Sequence, residues 1–244
     1  GLPAAISKLV SERIALKQYR NAHRVFQAAL VISTCFGTFF AIVMGLGAHR
    51  LADMIDIADS YYSLLTLCPT LVIVAIMSVF RGYFQGMRTM VPTAISQIVE
   101  QVANAVISIG AAVFFIHAFA GGDADKIPVF GAMGSAAGIG AGVITGLLFM
   151  LFIYSCNKKY FKKEIQKDDT GVDSSYKDIF RIIFMMVTPV ILSTFVYNIS
   201  TVVDQTLFMD IMGFKRMASE TAASLYGVFS GKYWVLINVP IALA

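Results

Sequence analysis

Six stretches of this chain, at about 28–48, 61–80, 92–117, 129–154, 179–208 and 225–244, are dominated by apolar residues, and each is 20 residues or longer. A helix needs about 20 such residues to cross a hydrocarbon layer of about 30 Å. In lipid, only helices and closed barrels satisfy their own backbone groups, and these runs lack the two-residue alternation of barrel strands. The expected fold is therefore all-α, a polytopic bundle of membrane helices. A seventh apolar segment, Gly1 to about Val10, reads as the last turns of another helix.

Composition removes the soluble classes. Hydrophobic residues make up 57% of the 244, charged residues 14%, and the mean hydropathy is +0.73. A soluble domain carries about 25% charged residues. The net charge of +4 is spread over short clusters between apolar runs, not along one face, so no nucleic-acid partner is expected. Cys35 and Cys68 lie within apolar runs and Cys156 at the edge of one, which argues against a disulfide framework. His23, His49 and His117 stand in separate segments without zinc-ligand spacing. No cofactor and no enzymatic activity are expected. The chain opens on Gly1 and stops within an apolar run ending Pro240-Ile-Ala-Leu-Ala244, as expected of a fragment of a longer protein.

Loop charges orient the spans. Basic residues concentrate in and beside 11–27, 81–91 and 155–178, where they include Arg81, Arg88, Lys158, Lys159, Lys162 and Lys163. The alternate loops hold Arg50, Lys126, Lys215 and Arg216, together with Asp53, Asp56, Asp59, Asp123 and Asp125. Basic loops are retained in the cytoplasm, so 11–27, 81–91 and 155–178 are expected there in a multi-pass protein of the cell membrane. The expected organisation is an N-terminal helical lobe over 1–154, a solvated linker over 155–178, and the start of a second lobe over 179–244. The linker lysines also offer attraction to anionic lipid. Leu2-Pro3-Ala4-Ala5-Ile6-Ser7 faintly echoes Val239-Pro240-Ile241-Ala242-Leu243-Ala244, and transporters are often built from related helical repeats.

Two polar stripes interrupt the apolar runs. At 100° per residue, Thr93, Gln97, Glu100, Gln101, Asn104 and Ser108 fall within an arc of about 100°. A charge at the bilayer centre costs at least about 2.5–3.5 kcal/mol, so such a face turns toward protein or a water-filled cavity. A cavity wall and interhelical hydrogen bonding both fit. The second stripe, Thr194, Tyr197, Asn198, Thr201, Asp204 and Gln205, covers about 120° and follows Pro189, which should kink its helix. Asp204, Thr201 and Asn198 offer hard oxygen ligands for Na⁺, or a site for H⁺. Alternatively, Asp204 reaches the outer headgroups or pairs with Lys232. Lys232 either faces the cavity as an attractor of anionic substrate or snorkels beside Tyr233 and Trp234. Gly134, Gly138, Gly142 and Gly146 recur every fourth residue, the ridge that lets two helices approach closely.

Three stretches carry a family resemblance: Gly1-Leu-Pro-Ala-Ala-Ile-Ser-Lys-Leu-Val-Ser-Glu12, Ser78-Val-Phe-Arg-Gly-Tyr-Phe-Gln-Gly86 and Pro92-Thr-Ala-Ile-Ser-Gln-Ile-Val-Glu-Gln101. Together they resemble the polysaccharide-transport branch of the multidrug/oligosaccharidyl-lipid/polysaccharide (MOP) exporter superfamily, among its MurJ-like lipid II flippases and stage V sporulation protein B-like members. The resemblance implies two six-helix lobes around a central cavity, alternating access, and an undecaprenyl-linked saccharide as substrate. It implies that the chain runs from the end of the family's second helix through its eighth. It also implies a cavity cation on the eighth helix, where Lys232 stands, and an acid on the seventh helix at a sodium site, which Asp204 matches.

The expected function is a flippase that moves a lipid-linked saccharide precursor across the cytoplasmic membrane. Gln97, Glu100, Gln101, Asn104, Asn198 and Lys232 would line the cavity, Arg81 and Arg88 would capture the headgroup, and Asp204 with Thr201 and Asn198 would couple an ion. A multidrug/cation antiporter of the same superfamily is the alternative. A membrane-embedded prenyl-phosphosugar enzyme fits less well, because Asp168-Asp169 stand alone and Asp53, Asp56 and Asp59 fall on the opposite side. A passive helical scaffold would explain the glycines but not the two stripes.

Overall fold

The structure, a computed structural model, describes residues 2–54, 60–119, 121, 126–168, 170–171, 174–215, 219–233 and 236. Among these residues every regular element is helical: α1 (Leu2–Ala15), α2 (Tyr19–Met54), α3 (Ser60–Gly86), α4 (Val91–Phe119), α5 (Ile127–Gln166), α6 (Tyr176–Phe214) and α7 (Ser219–Val228), followed by a π turn at Phe229–Tyr233. Among the described residues five helices, α2 to α6, are long and apolar enough to cross a membrane. The protein is a multi-pass membrane helical bundle. The sixth expected span, 225–244, is described only through the end of α7, the π turn and residue 236.

The helices outrun the apolar stretches that announce them. Of the 11–27 segment only residues 16–18 lie outside a helix, and of 81–91 only residues 87–90. The 155–178 linker is helical to Gln166 and again from Tyr176. Apolar runs mark the thickness of the hydrocarbon layer, whereas Lys, Arg, Glu and Gln propagate a helix well beyond it. Two of the tight turns close alike. After α1, Lys17 takes φ 59° and Gln18 N–H reaches back to Arg13 C=O at 2.9 Å. After α3, Arg88 takes φ 61° and Thr89 N–H reaches Phe84 C=O at 3.2 Å. Both are left-handed helix caps in the position usually given to glycine.

Two compact units divide at Val187/Thr188, inside α6.

In the first unit, α1 lies in a notch on α3. A Cβ at Gly82 would come 2.7 Å from Pro3 O and 2.8 Å from Ile6 Cβ, and one at Gly86 would come 2.6 Å from Val10 Cβ. That close approach seals Ile6, Leu9 and Val10 among Val25, Phe26, Phe80 and Phe84. An aromatic cluster extends the core to α5, with ring centroids 4.5 Å apart for Phe26–Tyr83 and 5.5 Å for Tyr83–Phe161. Ile179 and Ile183 bring the first turns of α6 into the same core.

Along α5 the glycine ridge receives α4. A Cβ at Gly134 would lie 2.5 Å from Ala112 Cα, and at Gly142 it would lie 2.9 Å from both Glu100 O and Asn104 Cβ. At Gly138 it would overlap Ser108.

Candidate functional site

The first polar stripe divides once the helices are packed. Thr93 and Ser96 are buried, and Glu100, Asn104 and Ser108 are half-buried, whereas Gln97 and Gln101 are exposed. Ser108 Oγ donates to Asn104 Oδ1 at 2.8 Å and lies 3.3 Å from Ser135 O across the α4–α5 contact. Asn104 stands over Gly142. The inner half of the stripe is therefore spent on helix packing, and Gln97 and Gln101 remain as polar side chains open on an apolar helix.

Arg81 is placed differently from a residue waiting at a loop. It sits within α3, and its guanidinium meets Glu100 Oε2 at 2.6 Å, with the two side chains 12% and 16% exposed. Its Nε donates to Ser96 Oγ at 3.0 Å, and that hydroxyl donates in turn to Thr93 O at 2.7 Å. The Thr93 hydroxyl lies 3.4 Å from Arg81 O. A carboxylate and a guanidinium that would each be costly alone in a spanning helix are thus mutually neutralised, and they tie the end of α3 to the start of α4. Sequence alone gives Glu100 and Arg81 separate tasks; the fold makes them one pair. Arg88, on the connecting turn, is exposed.

The linker is strapped to the start of α2. Arg20 N–H, in the first turn where helix donors are unpaired, donates to Asp168 Oδ2 at 2.8 Å. The fully buried Asn21 accepts Ser174 N–H at 3.0 Å, Arg24 donates to Ser174 O at 3.1 Å, and Tyr176 OH donates to Gln27 Oε1 at 3.0 Å. Partial burial pushes the Asp168 carboxyl upward, but bonds from the Thr170 hydroxyl and from the Arg20 and Thr170 N–H groups outweigh it and hold it below the usual carboxylate range. A lowered folded value means that this contribution is complete above the unfolded pKa and is lost as pH falls through the folded one. Asp168→Ala should therefore speed protease cleavage of residues 167–175 about fivefold, the loss of a helix cap worth about 1 kcal/mol. Acidification should accelerate cleavage of the parent protein toward the variant's rate and leave the variant unchanged.

The second unit carries the other stripe. On α6, Thr194, Tyr197, Asn198, Thr201, Asp204 and Gln205 are all exposed. Thr194 Oγ1 donates to Val190 O at 2.8 Å, and Asn198 Nδ2 to Thr194 O at 2.7 Å, which leaves Asn198 Oδ1 available as an acceptor. Pro189 stands inside the helix and has no N–H for the Met185 carbonyl. Asp204 makes no ion pair with Lys232, and no group of three His, Cys, Asp or Glu side chains that could hold a metal occurs among the described residues. Lys232 lies on the π turn, exposed beside the exposed Tyr233; Trp234 is outside the described residues. The three cysteines are free. Asp56, Asp59, Asp123, Asp125, Asp169 and Arg216 are outside the described residues, as is the side chain of Asp53.

Neither the notch at Gly82 and Gly86 nor the Arg81–Glu100 pair follows from the sequence reading, although the 19-residue spacing of an arginine and a glutamate across a short helical turn is a usable signal.

The fold and its polar faces define the class: a polytopic helical membrane protein with polar side chains on its spanning helices. Comparison with known proteins narrows this. The family described as "Polysaccharide biosynthesis protein" matches residues 1–244, and the chain belongs to that family. It is 29% identical to stage V sporulation protein B of Bacillus subtilis (strain 168) over 244 residues, covering 98% of this chain and 44% of that protein. It is 28% identical over 258 residues to lipid II flippase MurJ of the same organism, covering 100% of this chain and 45% of the relative. The uncharacterized membrane protein YabM, also of that organism, is 23% identical over 231 residues, 94% of this chain and 40% of its own length. The chain thus spans less than half the length of these relatives. No solved structure gives a significant match.

Proposed function

We propose that the protein acts as a flippase, moving an undecaprenyl-linked saccharide precursor, a lipid II-like or polysaccharide unit, outward across the cytoplasmic membrane by alternating access. The observation that carries this reading is the likeness to a lipid II flippase along the whole chain. The physical need for such a protein is plain, since each unsatisfied polar group of a sugar headgroup costs several kcal/mol in hydrocarbon. In this reading Gln97 and Gln101 face the headgroup, Asn104 and Glu100 hold α4 in register behind them, and Asn198 and Lys232 are further polar groups for the substrate. Arg88 captures the headgroup pyrophosphate at the cytoplasmic turn, while Arg81 acts through Glu100 as a positioning group. Asp204, with Asn198 Oδ1 and Thr201, binds the coupling cation. The membrane potential then contributes about 2.3 kcal/mol per charge per 100 mV to the change of access.

The decisive experiment is complementation, by the complete gene product, of a strain depleted of its lipid II flippase. Restored growth supports the reading, and failure to grow despite abundant, membrane-inserted protein refutes it. Asp204→Asn in the same complete protein should abolish the dependence of transport on an imposed Na⁺ or H⁺ gradient in vesicles while the protein remains folded. Unchanged gradient dependence would remove Asp204 from the mechanism.

A further inference from the structure

The extension of α5 beyond the apolar run points to a lipid-docking surface. α5 is continuous from Ile127 to Gln166, 40 residues or about 60 Å, and its only proline lies in its first turn. Its two sides differ along the whole length. Gly142, Val143, Gly146, Met150 and Phe161 are buried against the bundle, and Tyr154 stacks on Phe26 at 5.4 Å. On the other side, Ile144, Leu148, Leu151 and Phe152 are exposed. At 100° per residue these four and Lys158, Lys159, Lys162 and Lys163 occupy the same arc of about 140°.

The exposed apolar side of the spanning part therefore continues, about 9 Å beyond Phe152, into a face made of lysines. All four are exposed, and none forms a hydrogen bond or ion pair with a described residue. The acids nearest in sequence are otherwise occupied: Glu164 is held by Lys167 at 2.8 Å, and Asp168 by Arg20 and Thr170. The headgroup layer adds only about 5–8 Å to each side of the hydrocarbon core. Lysine stems can lie back along apolar surface with the ammonium in that layer.

We propose that Lys158, Lys159, Lys162 and Lys163 form a docking face for the phosphate headgroups of anionic phospholipids in the leaflet that the basic loops contact. The bundle sits behind this face and the acyl chains of the same lipids rest on Ile144, Leu148, Leu151 and Phe152, so the occupant is bulk membrane lipid. It fits this surface through its charge above and its apolar tails below. The face anchors α5 at a fixed depth and rotation, against which the strapped linker and α2 are held. This surface is independent of the substrate assigned to the protein.

The test uses the complete protein in nanodiscs of phosphatidylglycerol and phosphatidylcholine at about 3:7, against phosphatidylcholine alone. A water-soluble amine reagent is applied and each lysine is read by peptide mass spectrometry. A lysine at an anionic surface gains about 1 kcal/mol, or about fivefold. The four lysines should therefore be modified at least about fivefold more slowly in the anionic discs, and 1 M salt should erase the difference. Lys17, at the turn after α1, should change much less. A second reading counts phosphatidylglycerol retained after detergent exchange, which should fall in the K158Q/K159Q/K162Q/K163Q variant. Equal modification rates in the two lipids, slowing of Lys17 to the same degree, or undiminished retention by the variant would each overturn the proposal.

Discussion

Replacing Glu100 with alanine in the complete protein should cost about 3–5 kcal/mol of stability, because Arg81 would keep its charge inside the bundle without a counter-ion. The pair is short, at 2.6 Å, and both side chains are largely withdrawn from water. Arg81→Met should be similarly damaging by leaving the carboxylate alone. The double variant Arg81→Met/Glu100→Met should recover most of the loss, since neither charge is then stranded. A thermal unfolding series on purified protein, arranged as a double-mutant cycle, measures this directly. Additive single effects would mean that the two groups do not interact energetically. The cycle also separates two roles for Arg81. If the double variant is stable but transports poorly, the arginine contributes to transport beyond fastening α3 to α4.

Gly134→Leu and Gly138→Leu should each prevent accumulation of folded protein, at a cost above the usual 1–3 kcal/mol of overpacking, roughly. What a side chain would strike here is the backbone of α4, at Ala112 and Ser108, and backbone cannot rotate away. Gly110 provides the contrast. It lies on α4 in a helical conformation, and a Cβ there would meet nothing within 4 Å. Gly110→Ala should therefore stabilise the protein by up to about 1 kcal/mol, the gain in helix propensity. Folded yield and midpoint of thermal unfolding compare the three. Equal behaviour of Gly110 and Gly134 would show that α4 and α5 are not in close contact.

Much of the architecture is legible without coordinates because the rule behind it is local. An apolar run of about 20 residues must be a helix in lipid whatever surrounds it, so α2 to α6 can be named from the runs alone. The four-residue recurrence of Gly134, Gly138, Gly142 and Gly146 marks a packing face for the same reason. Helix ends are less legible. The charged residues after Tyr154 read as a solvated linker, yet Lys158 to Gln166 continue α5, because Phe161 finds Tyr83 and Phe84 to pack against. That partnership joins residues far apart in the chain and has no local signature.

The sequence by itself determined that this chain is helical and membrane-spanning, since the solvent imposes those outcomes on each segment separately. Only the tertiary structure decided which polar groups are spent in holding the fold. Arg81 and Glu100 neutralise one another, Asn104 and Ser108 are absorbed at the α5 contact, and Asp168 caps a helix 148 residues away in the chain. Gln97, Gln101 and the α5 lysines remain open. The reason is that a charge or amide in a low-dielectric bundle takes whatever partner the packing brings within about 3 Å, and periodicity along one helix carries no information about its neighbour.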